Sequence, residues 1–460
     1  MNSVDQMKLF MEPRSVAIIG ASRATGPGSL NILQHLVNAR FAGRLYPVNP
    51  NARKILRMKC YPSVLDVPDN IDLAVISTPR SLVPQLVEEC TRRAIRAITV
   101  VAQGLADGDE EGKELQSEIV RIAREGGSRI LGPNTFGTVN AFNNLTTAFL
   151  ELEMKKVPIG IIAQTGLFFV GLPMCSLLGK GIDLGNACDI EFADGLEYFE
   201  HDPDIRVILL HVEGIREGRR FMEVARRVAK RKPILALKTG KGDEGARATQ
   251  SHTGSLAGKD EVYDAAFKQC GVIRVNDVDE YEDVAKAFLR LPLMKGRGIG
   301  VITLTGAGGI ITLDACEKYN LCLAKLSPDT LSKLGALAPP WQSLGNPADI
   351  WAPMMIAGHP FDEVFSTTLA AFLADPNVHG LIIIFYAFSP EVPISLMGGV
   401  LKVIDRFEKP VVCWLYGPKV EQLASMMDKT GNIVVYPTLD RAVRALSRLN
   451  DYFQIIEGDR

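Results

Sequence analysis

Short apolar runs alternate with amphipathic segments along the whole of this chain, and that rhythm admits few folds. Apolar runs of roughly four to eight residues between turn signals read as buried strands, and the stretches between them carry helical spacing. Strand and helix in strict turn predict parallel sheets with crossover helices. Candidate strands lie at 15–20, 44–48, 73–77, 97–101 and 128–131, with helical stretches at 31–38, 82–94 and 112–125. Together they make one doubly wound domain, Rossmann-like, over residues 1–150. The remaining length predicts two further α/β domains of doubly wound type, at 151–292 and 299–460. The segment 293–298, with its Lys, Gly and Arg, reads as the linker between them.

The second and third domains resemble each other. Ile159-Gly-Ile-Ile-Ala-Gln-Thr-Gly166 parallels Ile299-Gly-Val-Ile-Thr-Leu-Thr-Gly306. Asp202-Pro203 before an apolar run parallels Asp375-Pro376, and Lys232-Pro233 parallels Lys409-Pro410. Three landmarks in the same order predict two copies of one fold.

Charge narrows the partners. Lys plus Arg number 51 against 53 Asp plus Glu, so nothing suggests a face built for nucleic acid or an anionic membrane. The N-terminus lacks the basic and apolar regions of a signal peptide, and no apolar run reaches membrane-spanning length. A cytoplasmic location is expected. None of the eight cysteines forms a CxxC pair, so neither a disulfide framework nor a metal site is expected.

Glycine-rich turns follow the strands. Gly20-Ala-Ser22-Arg-Ala-Thr-Gly26-Pro-Gly28 comes between a strand and a helix, where backbone N–H groups and the helix dipole favour phosphate. Its spacing is not GxGxxG. The second strand ends at Asn49, where an NAD-binding domain would carry an acidic residue for the ribose diol. The 3′-phosphorylated ADP of CoA suits the turn better. Pro79, in Ser77-Thr-Pro79-Arg80, and Asn134, in Gly132-Pro-Asn134, end further strands at the edge where open α/β sheets bind ligands. Each turn also has a plain structural reading, as a cap or a packing turn.

Of six histidines, five have ordinary settings. His252 lies in a long Gly/Ala/Ser/Thr stretch, 240–258, between a strand and a helix. Small neighbours leave an imidazole open to a phosphoryl donor, and such a segment suits a loop that moves. Glu213, at the end of the strand 207–212, can orient the ring as the third member of a triad does. Gln164-Thr165-Gly166 opens a helix whose first N–H groups suit phosphate. The alternative is a solvated loop histidine.

At these residues the sequence resembles the ADP-forming acyl-CoA synthetases, relatives of succinyl-CoA synthetase. Ser251-His252-Thr-Gly-Ser-Leu-Ala-Gly258 is similar to their phosphohistidine loop. Further matches are 15–22, 46–50, 131–134, Leu184-Gly-Asn186, Asp189, Glu213-Gly-Ile215 and Lys238, so the resemblance covers essentially the whole chain. It implies a CoA-binding first domain, a ligase-CoA second domain carrying the phosphohistidine, and a third flavodoxin-like ligase domain. It implies that His252 carries a phosphoryl group between acyl phosphate and ADP, steadied by Glu213. Gly20, Ser22, Asn49, Pro79 and Asn134 would surround CoA; Gln164, Thr165 and Gly166 would hold phosphate. Two departures stand out: Ala163-Gln-Thr165-Gly replaces the usual Ser-Gln-Ser-Gly, and Thr135 replaces a common Cys. The resemblance also implies a separate ATP-grasp β subunit carrying ADP/ATP and Mg, in a heterotetramer, with acyl-CoA and phosphate as substrates. A non-catalytic CoA-binding regulator and an NAD-dependent dehydrogenase are the competing readings.

Overall fold

The computed structural model describes residues 2–170, 178–245, 247, 259–387 and 402–458. It divides into two compact units, 1–276 and 277–460.

The first unit holds two sheets. In one, five parallel strands lie in the spatial order Arg44–Val48, Ser15–Ile19, Leu73–Ile76, Ala97–Val100, Arg129–Leu131. The central three are buried at every position. Helices cover both faces of a parallel sheet, so its strands read as unbroken apolar runs rather than alternating ones. The expected strands are therefore present, shortened by one residue at several ends.

The second sheet runs Ile273–Val275, Ile234–Lys238, Val207–Val212, Ile159–Ala163, Lys180–Asp183 in parallel. Its far edge is extended by an antiparallel hairpin, Thr138–Asn140 and Leu145–Thr146. This hairpin precedes residue 150, where the sequence reading placed the domain boundary, yet its hydrogen bonds go to the second sheet.

Two features tie these sheets together. The helix Ser3–Met11, capped by the Asn2 side chain accepting the Asp5 N–H at 2.8 Å, touches both. Gln6 donates to the Arg96 carbonyl at 2.6 Å, and the Thr138 hydroxyl donates to the Phe10 carbonyl at 2.9 Å. Asp189 is buried and accepts from Arg124 at 2.8 Å, Arg129 at 2.8 Å and the Ile130 N–H at 2.9 Å. A carboxylate removed from water needs such partners. Asp189, matched as a family landmark, thus fastens the first sheet to the second.

The second unit has one main sheet, ordered Cys322–Leu323, Gly298–Thr303, Gly380–Tyr386, Val411–Tyr416, Val434–Tyr436. Leaving aside the two-residue strand Ala348–Asp349, which pairs with Gly298–Thr303 off this path, the chain order is 2-1-3-4-5, the same as for the five parallel strands of the second sheet. The duplication extends to side chains. Gly160 lets the Phe199 ring lie against its strand, and Gly300 does the same for Phe372; an added Cβ would meet those rings at 2.8 Å and 2.4 Å. Lys232 donates to the Asp202 carbonyl at 2.6 Å, as Lys409 does to the Asp375 carbonyl at 2.6 Å. The Asp-Pro and Lys-Pro landmarks are therefore one structural device used twice. The helix Val278–Arg290, which the sequence reading placed at the end of the second domain, belongs to this unit. Its Asp283 takes a two-pronged pair from Arg441 at 2.6 and 2.8 Å, on the helix Leu439–Glu457.

A test of the fold lies at Lys180. Its buried ammonium pairs with buried Asp202 at 2.6 Å and with Asp204 at 2.8 Å. Removing one partner of a buried pair costs about 3–5 kcal/mol. Lys180→Met is expected to lower the midpoint of urea denaturation accordingly; an unchanged midpoint would show the pair to be neutral.

Candidate active site

Strand register carries the expected site residues to common edges. In the second sheet Ala163 pairs with both Asp183 and His211, and Val212 pairs with Lys238. One step further along, Gln164, Leu184, Glu213 and Thr239 follow at the carboxyl edge.

Gln164 is buried, and its side-chain oxygen accepts the Glu213 N–H at 2.8 Å and the Gly214 N–H at 3.0 Å. One amide therefore joins the expected phosphate turn to the expected carboxylate turn. The Thr165 hydroxyl accepts the Leu167 N–H at 3.3 Å, so it retains a turn role with threonine in place of serine. Gly166 has no room for a side chain, since a Cβ would lie 1.9 Å from the Phe136 ring. Phe136 in turn stacks on Phe149, with ring centres 4.4 Å apart. Phe168 and Phe169 are buried core residues; Phe168 stacks on His211 at 4.5 Å.

Three residues that the sequence reading passed over join this edge. Asp183 is buried; its carboxylate accepts the Phe136 N–H at 2.7 Å and the Gly185 N–H at 3.2 Å. Its carbonyl accepts the Thr135 hydroxyl. Burial pushes the Asp183 carboxyl up to about 7; backbone and Thr135 hydrogen bonds oppose the rise, and the Glu213 charge adds to it. Tyr263 takes the Ile215 N–H on its hydroxyl at 3.2 Å. Its ring lies 4.7 Å from the Lys238 ammonium, which burial holds below the usual lysine range. The third is Glu191, whose carboxyl burial raises to about 7, with the Glu217 charge adding to the rise. Period-two and helical patterns report burial, not which polar groups share it, so the sequence held no signal for these.

The Asp183 shift has a sign. A carboxyl whose folded pKa lies above its unfolded value contributes stability at low pH that is lost as pH rises through the folded pKa. Here that loss runs from about pH 4 to about pH 7. Asp183→Asn keeps an acceptor for Phe136 without the charge. Its melting temperature relative to wild type is expected to be several degrees more favourable near pH 8 than near pH 5. A pH-independent difference would contradict the assignment.

In the first sheet Gly20 has φ +85°, and a Cβ there would lie 2.3 Å from the Ser77 carbonyl oxygen. Only glycine combines that conformation with so close an approach. The Ser22 hydroxyl accepts the Ala24 N–H at 3.1 Å. Asn49 spends its side chain on the backbone, donating to the Ala21 carbonyl at 2.9 Å and accepting the Asn51 N–H at 2.9 Å. It holds the Gly20 turn in place. Pro79 is exposed and begins the short helical turn Arg80–Leu82. Asn134 lies between the two sheets: its N–H donates to the Ala102 carbonyl at 2.9 Å, while the neighbouring Pro133 carbonyl accepts the Asn186 N–H at 2.9 Å. Its half-buried side chain has no hydrogen bond among the described residues. The first-sheet group and the Gln164–Glu213 group are thus separate clusters, with the Asn134 turn bonded to both sheets. His252 lies outside the described residues. Among the described residues no cluster suited to a metal is present, and no helix is long and apolar enough to cross a membrane.

Three doubly wound sheets define an open-sheet α/β protein, a class that binds ligands at the carboxyl edge of its strands. Comparison with known families makes the class specific. Residues 14–141 match the CoA binding domain, 158–288 the succinyl-CoA ligase like flavodoxin domain, and 299–449 the ligase-CoA domain. The chain is 36% identical to the alpha subunit of ADP-forming acetate--CoA ligase I of Pyrococcus furiosus, covering 96% of this chain and 97% of that one. It is 35% identical to ADP-forming acetate--CoA ligase II of Archaeoglobus fulgidus, over 98% of this chain and 67% of that one. A solved acetyl-coenzyme A synthetase 1 of Ca. Korarchaeum cryptofilum, in complex with phosphate and ADP, matches with TM-score 0.85 and 31% identity over 99% of both chains. The chain belongs to the family of ADP-forming acyl-CoA synthetases, which are acid–thiol ligases of the succinyl-CoA synthetase type. Membership does not favour the reading as a non-catalytic regulator.

Proposed function

We propose that this chain is the CoA-binding subunit of a nucleoside-diphosphate-forming acyl-CoA synthetase, with His252 as its phosphoryl carrier. Phosphate attacks the thioester carbonyl of acyl-CoA, releasing CoA and forming an acyl phosphate. The imidazole of His252 takes the phosphoryl group and releases the carboxylic acid. Phosphohistidine then passes the group to ADP, giving ATP and free imidazole, and every step is reversible. The observation that carries this reading is the Gln164 side chain holding the Glu213 turn at 2.8 Å. The backbone of the Glu213 turn and the expected phosphate turn are thereby joined, which supports a carboxylate and backbone donors serving one phosphorylated imidazole.

In this reading Glu213 orients the His252 ring, and Gln164, Thr165 and Gly166 form the phosphate turn. CoA lies along the first sheet's edge at Gly20, Ser22 and Pro79, with Asn49 holding the turn and the free Asn134 amide meeting the ligand. The close approach at Gly20 supports backbone contact with a nucleotide phosphate. A partner ATP-grasp subunit carries ADP/ATP and Mg, within a cytoplasmic heterotetramer. The Pyrococcus relative's name, alpha subunit, supports a second subunit. Incubation of the two subunits with labelled phosphate and acyl-CoA is expected to leave acid-labile, base-stable label on this chain. Absence of label with every acyl-CoA in a panel would overturn the proposal.

A further inference from the structure

The second unit contains a cavity of about 710 Å3 whose described lining includes none of the residues assigned above to CoA, phosphate or the phosphoryl group. Its floor is the carboxyl edge of the sheet. Leu304 follows the strand Gly298–Thr303, Phe385 and Tyr386 end Gly380–Tyr386, and Tyr416 ends Val411–Tyr416. Gly298–Thr303 has the chain's next strand on one side and the strand Gly380–Tyr386 on the other. The strand order therefore reverses between Gly298–Thr303 and Gly380–Tyr386, and the crevice at such a switch point is where doubly wound sheets bind small molecules. The size also lies within the usual range of roughly 300–1,000 Å3 for ligand pockets.

The lining specifies the ligand. Among the described residues it contains no Lys, Arg, Asp or Glu; the ionisable side chains among them are His359 and the tyrosines. Rings dominate: Tyr386 and Tyr416 lie 5.2 Å apart and Phe361 and Phe385 5.7 Å apart, centre to centre. Trp351 is 51% exposed and Met355 62% exposed at the rim. Aromatic faces at such spacings favour a planar apolar body, and His359 can meet one acidic group.

From this geometry we infer that the cavity is a binding site for a ring-bearing carboxylic acid, such as an arylacetate or arylpropionate. That the acidic group is a carboxylate rests on the proposed reaction, whose product is one; the ring rests on the lining alone. The acid can come from the chain's own reaction or be a separate effector.

Isothermal titration of the full chain with phenylacetate, hydrocinnamate and acetate tests the site without any phosphoryl transfer. The aryl acids are expected to bind roughly tenfold or more tightly than acetate. Trp351→Ala and Met355→Glu, both at exposed positions, should each weaken aryl binding about tenfold while leaving the melting temperature near wild type. Aryl acids binding no better than acetate, or both variants binding like wild type, would overturn the inference. With the partner subunit present, labelling from phenylacetyl-CoA and acetyl-CoA separates the sources. A Trp351→Ala loss confined to phenylacetyl-CoA assigns the site to the substrate acid. Equal labelling, with inhibition by phenylacetate abolished, assigns it to an effector. A failure of all labelling would count against the reaction and leave the titration as it stands.

Discussion

His252→Ala, combined with the partner subunit, is expected to abolish acyl-CoA-dependent ATP formation, with a loss of roughly a thousandfold or more. The size follows from the role: removing a covalent intermediate deletes a step, and the rest of the site can supply only binding and charge stabilisation. The variant should acquire no acid-labile phosphate, yet still exchange CoA between acyl-CoA and acyl phosphate, since that step precedes the histidine. The two readouts therefore separate a missing carrier from a collapsed site. Turnover of the variant at the wild-type rate would dispose of the carrier role.

Gln164→Leu is the second large effect. The Glu213 and Gly214 N–H groups, both buried, would lose their shared acceptor at 2.8 and 3.0 Å. An orphaned buried donor costs about 1–3 kcal/mol, so a drop of several degrees in melting temperature is expected. If Glu213 orients His252 as proposed, the functional loss should be greater, about a hundredfold in labelling rate, because a carboxylate displaced by even an ångström would lose its hold on the imidazole. Gln164→Glu sorts the two contributions. It keeps an acceptor for both donors and should recover stability, but its negative charge beside the phosphate turn should leave labelling slow. Wild-type labelling in Gln164→Leu would mean that this amide has only a structural part.

Both experiments concern residues that the sequence by itself singles out. His252 was marked by its setting among small residues, and Gln164 by following an apolar strand and opening a helix. Asp183 was not. It ends a strand of four residues, in Lys-Gly-Ile-Asp, and looks from its neighbours like an exposed strand end. It is buried because the turn from Gly132 to Gly137 closes over it, drawn in from a segment some fifty residues earlier. Tyr263 and Glu191 escaped notice for the same reason: their partners are remote in sequence.

The architecture was legible for a general reason. Parallel strands covered on both faces must be apolar throughout, and the turns at their ends must be small and polar, so the order of elements is written locally. The doubled landmarks were legible too, since Lys232 and Lys409 each satisfy an Asp-Pro turn in their own copy. Only the tertiary structure could assign the hairpin 138–146 to the second sheet and the helix Val278–Arg290 to the second unit. In each case the choice is made by contacts with residues far along the chain. The same holds for charge. A sequence shows which residues can ionise, but burial and the carboxyl group next door decide which of them keeps its proton.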